Sequence, residues 1–324
     1  MDHRPISWDD CPADSLSRGH LRAGFTDLGA AAGSVATGLR RIAVEPGAQS
    51  SPAHVHGAEE EIFFVLGGSG LSWQDGETFA VGPGDCLVHL PGGGGADAIV
   101  HVAGGEAHTL VAGGEGLDVL AYGSRLPDEA CYLPRSQVAW LGPTWAAAGD
   151  GPDPYDREAS AGPVELPESS ARPARIVNLE RVAGETTDRA GVRRCRRDLG
   201  RAAGSARLGL QHVTVQPFGL SGLHHCHACE EELFVVLAGD GSCLLGDDDY
   251  PVRRGSVLAR PAATGRPHAF RAGANGLVLL AFGERKAADY VYYPRSGIIF
   301  FRGVNLAARL EVADLWAVEE GLVT

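Results

Sequence analysis

Short apolar runs broken by glycine turns recur along this chain, and they predict strands. Ile62–Leu66, Cys86–Leu90, His108–Ala112 and Leu117–Ala121 are four of them, and Asp75-Gly76 and Gly239-Asp240-Gly241 carry the residues of hairpin turns. Sustained helical periodicity is scarce. The spacing of Leu306, Leu310, Ala313 and Leu315-Trp316 is partly helical and predicts a packed helix near the C-terminus. Many short strands at close intervals predict an all-β protein of antiparallel barrels or jelly rolls, with helices short and peripheral.

The pattern is written twice. Asp27-Leu28-Gly29, Gly33-Ser34 and Gly38-Leu39 return as Asp198-Leu199-Gly200, Gly204-Ser205 and Gly209-Leu210, and Val44-Glu45-Pro46 as Val215-Gln216-Pro217, all offset as His54 is from His225. Further on the offset shortens to that of His108 from His268. Ala121-Tyr122-Gly123 then matches Ala281-Phe282-Gly283, and Tyr132-Leu133-Pro134-Arg135-Ser136 matches Tyr292-Tyr293-Pro294-Arg295-Ser296. The difference is one insertion in the first copy, in the glycine-rich stretch Pro91 to Gly105. Ungapped matching on both sides of one insertion is the mark of a duplicated domain. The expected boundaries are 1–142 for an N-terminal arm and first barrel, 143–173 for a Pro/Gly-rich linker, and 174–324 for the second barrel and its tail.

Each copy also carries a set of metal-ligating residues. His54-Val55-His56 and His225-Cys226-His227 place two imidazoles on one face of a strand, because side chains alternate with period two. Glu61 or Glu232 follows, directly ahead of an apolar strand, with Glu60 and Glu231 as alternates. The repeat adds His108 and His268. The expected ligands are therefore His54, His56, Glu61 and His108 in the first copy, and His225, His227, Glu232 and His268 in the second. Three imidazoles suit iron, nickel, copper or zinc, and a carboxylate hardens the set. A divalent transition metal is expected at each site, with iron(II) first in line and manganese, nickel, copper and zinc as the other candidates. Glu61 and Glu232 are also the expected catalytic groups, each a ligand first and a base when it swings off the metal.

The same stretches resemble the cupin superfamily. Its first motif runs from a glycine to His-x-His, then a glutamate, then a glycine after six residues, as in Glu61 to Gly68 and Glu232 to Gly239. Its second motif resembles Gly255, Pro261, Gly265 and His268, and in stretched form Gly84, Pro91, Gly105 and His108; the asparagine that usually ends it is absent from both. The resemblance implies a bicupin, two double-stranded β-helix (jelly-roll) barrels in one chain. Bicupins include oxalate decarboxylases, quercetin and gentisate dioxygenases and seed storage proteins, so the fold leaves the reaction open. Storage members have usually lost their ligands, whereas both sets stand here. The expected function is an oxygenase of dioxygenase type acting on a small organic acid or an aromatic or enolic metabolite. The alternatives are a redox-neutral isomerase, lyase or hydrolase, and a non-enzymatic binding protein.

Composition narrows the partners. At 44% hydrophobic and 21% charged residues the chain is globular. A net charge of −13 disfavours nucleic acid and anionic membranes, which leaves a small-molecule substrate, with anions among the candidates. Met1 to Asp14 lacks a secretory pattern, and seven irregularly spaced cysteines read as free thiols of a cytoplasmic protein. The duplication supplies a pseudo-dimer, so a monomer or a homodimer is expected. Cys226 and Cys229 read as packing residues, the Tyr-x-Pro-Arg-Ser repeats as structural corners, Arg193-Arg194-Cys195-Arg196-Arg197 as a solvated edge, His224 as a possible support behind the metal, and His101 as an alternate ligand inside the insertion.

Overall fold

The computed structural model describes residues 3–92, 106–127, 129–141, 144–147, 153–311 and 316. Residues 93–105 of the glycine-rich insertion, with His101, lie outside them. Each copy forms a jelly roll from one eight-stranded and one four-stranded sheet, all strand pairs antiparallel. In the first copy the central strands of the large sheet are Glu61–Gln74, His108–Ser124 and Thr37–Val44, and the small sheet begins at Val55–His56. Their counterparts are Glu232–Leu245, His268–Glu284, Leu208–Val215 and Cys226–His227. A β-bulge interrupts each central strand after Val65 and Val236. There Gly68 and Gly239 take positive φ against the backbone of Gly116 and Gly276, where a Cβ would collide.

The apolar runs after the glutamates are continuous, without polar alternation, because both faces of these strands are buried. Phe63 and Val65 point into the first barrel, and Phe234 and Val236 into the second. Ile62, Phe64, Leu233 and Val235 point the other way and join Trp8, Tyr122 and Phe282 in a core between the barrels. Each such side chain contributes about 1.5–3 kcal/mol by leaving water, so the two barrels are held by a core as dry as their own.

The strands also cross over. Ile6–Ser7 pairs with Ser256 and Val257 on the edge of the second barrel's sheet, while Ile176–Asn178 pairs with Asp85 to Leu87 on the edge of the first. Each copy's leading strand thus covers the other copy's open edge. The start of the arm expected to go with the first barrel lies on the second, whereas Asp14–Arg18 stays in the first barrel's sheet, and residues just past the expected linker also lie on the first. Within the linker, Pro154–Ala161 is a helix capped by Asp153. It is clamped by Arg135, which pairs with the buried Glu158 at 2.8 Å. The first Tyr-x-Pro-Arg-Ser corner is therefore an anchor for the linker.

The C-terminal expectation is corrected in part. Leu306–Arg309 is a strand paired with Ile298–Phe301, where a helix was expected. An open sheet edge beside this segment satisfies its backbone groups, which outweighs a partial helical spacing. Ala313 and Leu315 lie outside the described residues. All seven cysteines are unpaired, and no helix among the described residues is long and apolar enough to cross a membrane.

Candidate metal centres

The parity of the central strand decides which glutamate faces the site. Glu61 shares the inward face with Phe63 and Val65, and Glu232 shares it with Phe234 and Val236. The preceding residues fall on the opposite face and leave their own barrel altogether. Glu60 accepts from the backbone N–H groups of Ala206 (3.2 Å), Arg207 (3.1 Å) and Leu208 (3.3 Å) and from Ser205 Oγ. Glu231 accepts from Val35, Ala36 and Thr37 N–H at 2.8–2.9 Å and from the Ser34 and Thr37 hydroxyls. The alternates named from the sequence are thus reciprocal latches between the barrels.

The four expected donors of each copy meet. Glu61 Oε2 lies 3.0 Å from His108 Nε2, 3.2 Å from His56 Nε2 and 3.7 Å from His54 Nε2. In the second copy Glu232 Oε2 lies 3.0 Å from His268 Nε2, 3.4 Å from His227 Nε2 and 4.0 Å from His225 Nε2. The backbone fixes this, since His54 bridges to His108 and His225 to His268 across the two sheets.

The outer ring nitrogens of the two His-x-His pairs are spoken for. His54 Nδ1–H donates to Pro52 O (2.9 Å) and His225 Nδ1–H to Leu223 O (2.7 Å). His56 Nδ1–H donates to Glu129 (3.0 Å) and His227 Nδ1–H to Asp289 (2.7 Å). These bonds set the tautomer and turn the Nε2 lone pairs inward. Glu129 and Asp289 are held in turn by the backbone N–H groups of Ala58 and Glu59 and of Cys229 and Glu230. These two carboxylates were missed by sequence reasoning, although the offset that pairs His108 with His268 also pairs Glu129 with Asp289. The support expected from His224 comes from them.

A divalent cation fits this donor set. His56 Nε2, His268 Nε2 and Glu232 Oε2 are buried without a hydrogen-bond partner although they stand within ion-pair distance of their neighbours. Polar atoms gathered so tightly yet unpaired suit a cation among them. Burial works against the Glu61 and Glu232 carboxylates, but His56 and His227, with the other imidazoles, hold both well below the usual range. Burial would likewise lower His227, yet Glu232 and Asp289 outweigh it and raise it to about 8. Burial brings His108 to about 4 and His225 to about 3, so both are neutral donors at pH 7. One position differs behind the donors: His89 stacks on His108 at 3.8 Å, while Arg260 holds the equivalent place in the second copy.

A pH dependence follows for the second centre. A metal bound there would have to displace the proton of His227, so affinity is expected to rise with pH by roughly tenfold per unit up to about 8, with about one proton released per metal near pH 7. Calorimetry in buffers of different ionisation enthalpy counts that proton. Metal binding without proton release below pH 7 would contradict the arrangement.

Above each donor set lies a cavity. The first, about 830 Å³, is walled by Phe25, Ile42, Leu133, Trp140 and the linker residue Tyr155. The second, about 480 Å³, is walled by Phe234 and Tyr293 but also by Arg189, Arg194, Arg196 and Arg302. Cys226 and Cys229 take no part: their thiols lie against the carbonyls of Tyr292 and Ala288.

A duplicated jelly roll with a three-histidine, one-glutamate set in each half defines a class, and comparison with known proteins agrees. Residues 40–93 match the cupin domain family. An oxalate decarboxylase variant from Bacillus subtilis is 17% identical, with 89% of this chain and 79% of that one covered and a TM-score of 0.56. A putative sugar phosphate isomerase from Acidithiobacillus ferrooxidans is 27% identical over 42% of this chain and 92% of its own, with a TM-score of 0.39. No curated protein matches. Residues 40–93 thus carry a cupin domain, and the chain as a whole has the two-barrel fold of a bicupin.

Proposed function

We propose that this bicupin is a metal-dependent oxygenase of the cytoplasm, acting on an aromatic or enolic metabolite or a small organic acid. The observation that carries the reading is the first cavity. Its floor is a donor set converging from one side, and its walls are Phe25, Leu133, Trp140 and Tyr155, with room for an aromatic ring. His54, His56, Glu61 and His108 would hold the metal there, and His225, His227, Glu232 and His268 would hold a second. When bound, iron(II) would supply redox and Lewis-acid chemistry to a chelated substrate. The chain's own residues orient and exclude: the aromatic walls stack the substrate and keep water out, while Pro154–Ala161 closes the side of the cavity. Glu61 and Glu232 are ionised and can accept a substrate proton once released from the metal.

The test is oxygen uptake by anaerobically purified, iron-loaded protein against catechols, hydroxybenzoates and enediols. Uptake in step with substrate loss is expected, and His54→Ala/His56→Ala should abolish it. Equal turnover without oxygen would replace the reading with a redox-neutral lyase or isomerase. The small cationic second cavity favours that second reading for its own substrate, since decarboxylation of a small acid needs no oxidant.

A further inference from the structure

We propose that Arg194 is the anchor for a carboxylate ligand in the second cavity, so that the two barrels take chemically different ligands. This deepens the small-acid part of the functional reading, and rests on it only for the metal at the ligand's other end.

The run Arg193-Arg194-Cys195-Arg196-Arg197 lies on the strand Val192–Asp198, where alternate side chains take opposite faces. Arg193 is exposed, whereas Val192, Arg194 and Arg196 line the cavity that contains His225, His227, Glu232 and His268. The solvated-edge expectation therefore fails for half the run. Arg196 is paired with Glu185 at 2.7 Å, and Arg302 with Glu230. Arg194 has no carboxylate within ion-pair distance among the described residues. Its Nη1 donates to Ser221 O, and its Nε is buried with no partner at all. Burial, with Arg196 alongside, pushes its pKa down, yet a guanidinium stays charged.

A partly desolvated cation with no carboxylate partner carries a cost that an anion relieves. The matching positions in the first copy are Ala23 and Phe25. The two arginines lining that cavity, Arg40 and Arg125, both face Asp27, at 3.9 Å and 3.2 Å. The unpaired charge is thus a property of the second cavity, gained where the first has an apolar wall. A carboxylate matches the guanidinium fork, and a neutral isostere would leave the charge unmet. Arg194 and the donor set line the same cavity, whose 480 Å³ admits a small acid.

The experiment uses the full chain carrying His54→Ala/His56→Ala, so that only the second centre is loaded. Malonate and its neutral isostere malonamide are titrated calorimetrically, with metal content measured on the same samples. Malonate is expected to bind in preference to malonamide. Arg194→Ala should weaken malonate at least tenfold and leave malonamide and metal content unchanged, and Arg194→Lys should recover part of the loss. Circular dichroism checks the fold, and Arg194→Gln replaces the alanine variant if that one does not fold. Equal malonate affinity in the parent and the variants, or no malonate preference in the parent, would overturn the proposal. A metal-free sample separates the two readings: malonate binding that still depends on Arg194 when no metal can be loaded supports the anchor and counts only against the metal centre.

Discussion

Replacing His225 and His227 with alanine is expected to remove one of two metal equivalents, and His54→Ala/His56→Ala the other, each by at least about 100-fold in affinity. Each double variant deletes half of a four-donor set. The remaining pair, Glu61 with His108 or Glu232 with His268, stays at 3.0 Å but lacks the two strand-borne imidazoles facing it. Because the outer nitrogens of His56 and His227 are held by Glu129 and Asp289, Asp289→Asn should weaken the second centre less, by about 10–100-fold. Elemental mass spectrometry on anaerobically purified wild type and variants measures this directly. Zinc in both wild-type sites would shift the chemistry to the redox-neutral reading, and failure to load either site would remove the metal-dependent one.

Glu231→Ala is expected to cost about 3–5 kcal/mol of stability, more than any surface change in the chain. The carboxylate is fully buried and accepts five hydrogen bonds from Ser34, Val35, Ala36 and Thr37 of the other barrel. Alanine would leave the buried Thr37 N–H without an acceptor, at about 1–3 kcal/mol before relaxation, and the partly buried Val35 and Ala36 N–H groups at less. Glu231→Gln keeps an acceptor oxygen and should cost less. Glu60→Ala, which breaks the reciprocal latch, should act in the same direction. Denaturant unfolding of the metal-free protein isolates the effect from metal binding. A change below about 1 kcal/mol for Glu231→Ala would show that the latch does not hold the barrels together.

The sequence by itself determined the repeat, the strand-rich fold and the eight side chains that gather in the two clusters. Each of these is encoded locally: a two-residue spacing sets which face a side chain takes, and the duplication supplies an internal comparison that picks out His108 and His268. It also contained Glu129 and Asp289, in a pairing that only became meaningful once the imidazoles were seen to need partners. Tertiary structure alone decided the rest. Whether Glu60 ligates metal or crosses to Ser205 depends on a second barrel lying against the first. Whether Ile6–Ser7 serves its own copy or the other depends on which sheet edge is open beside it, and Leu306–Arg309 became a strand for the same reason. Arg194 read as one of four solvated arginines until the register of its strand placed it in a cavity with no anion to meet it. Spacing along the chain gives a side chain its direction, but the partner waiting there comes from segments far away in sequence, and only packing brings the two together.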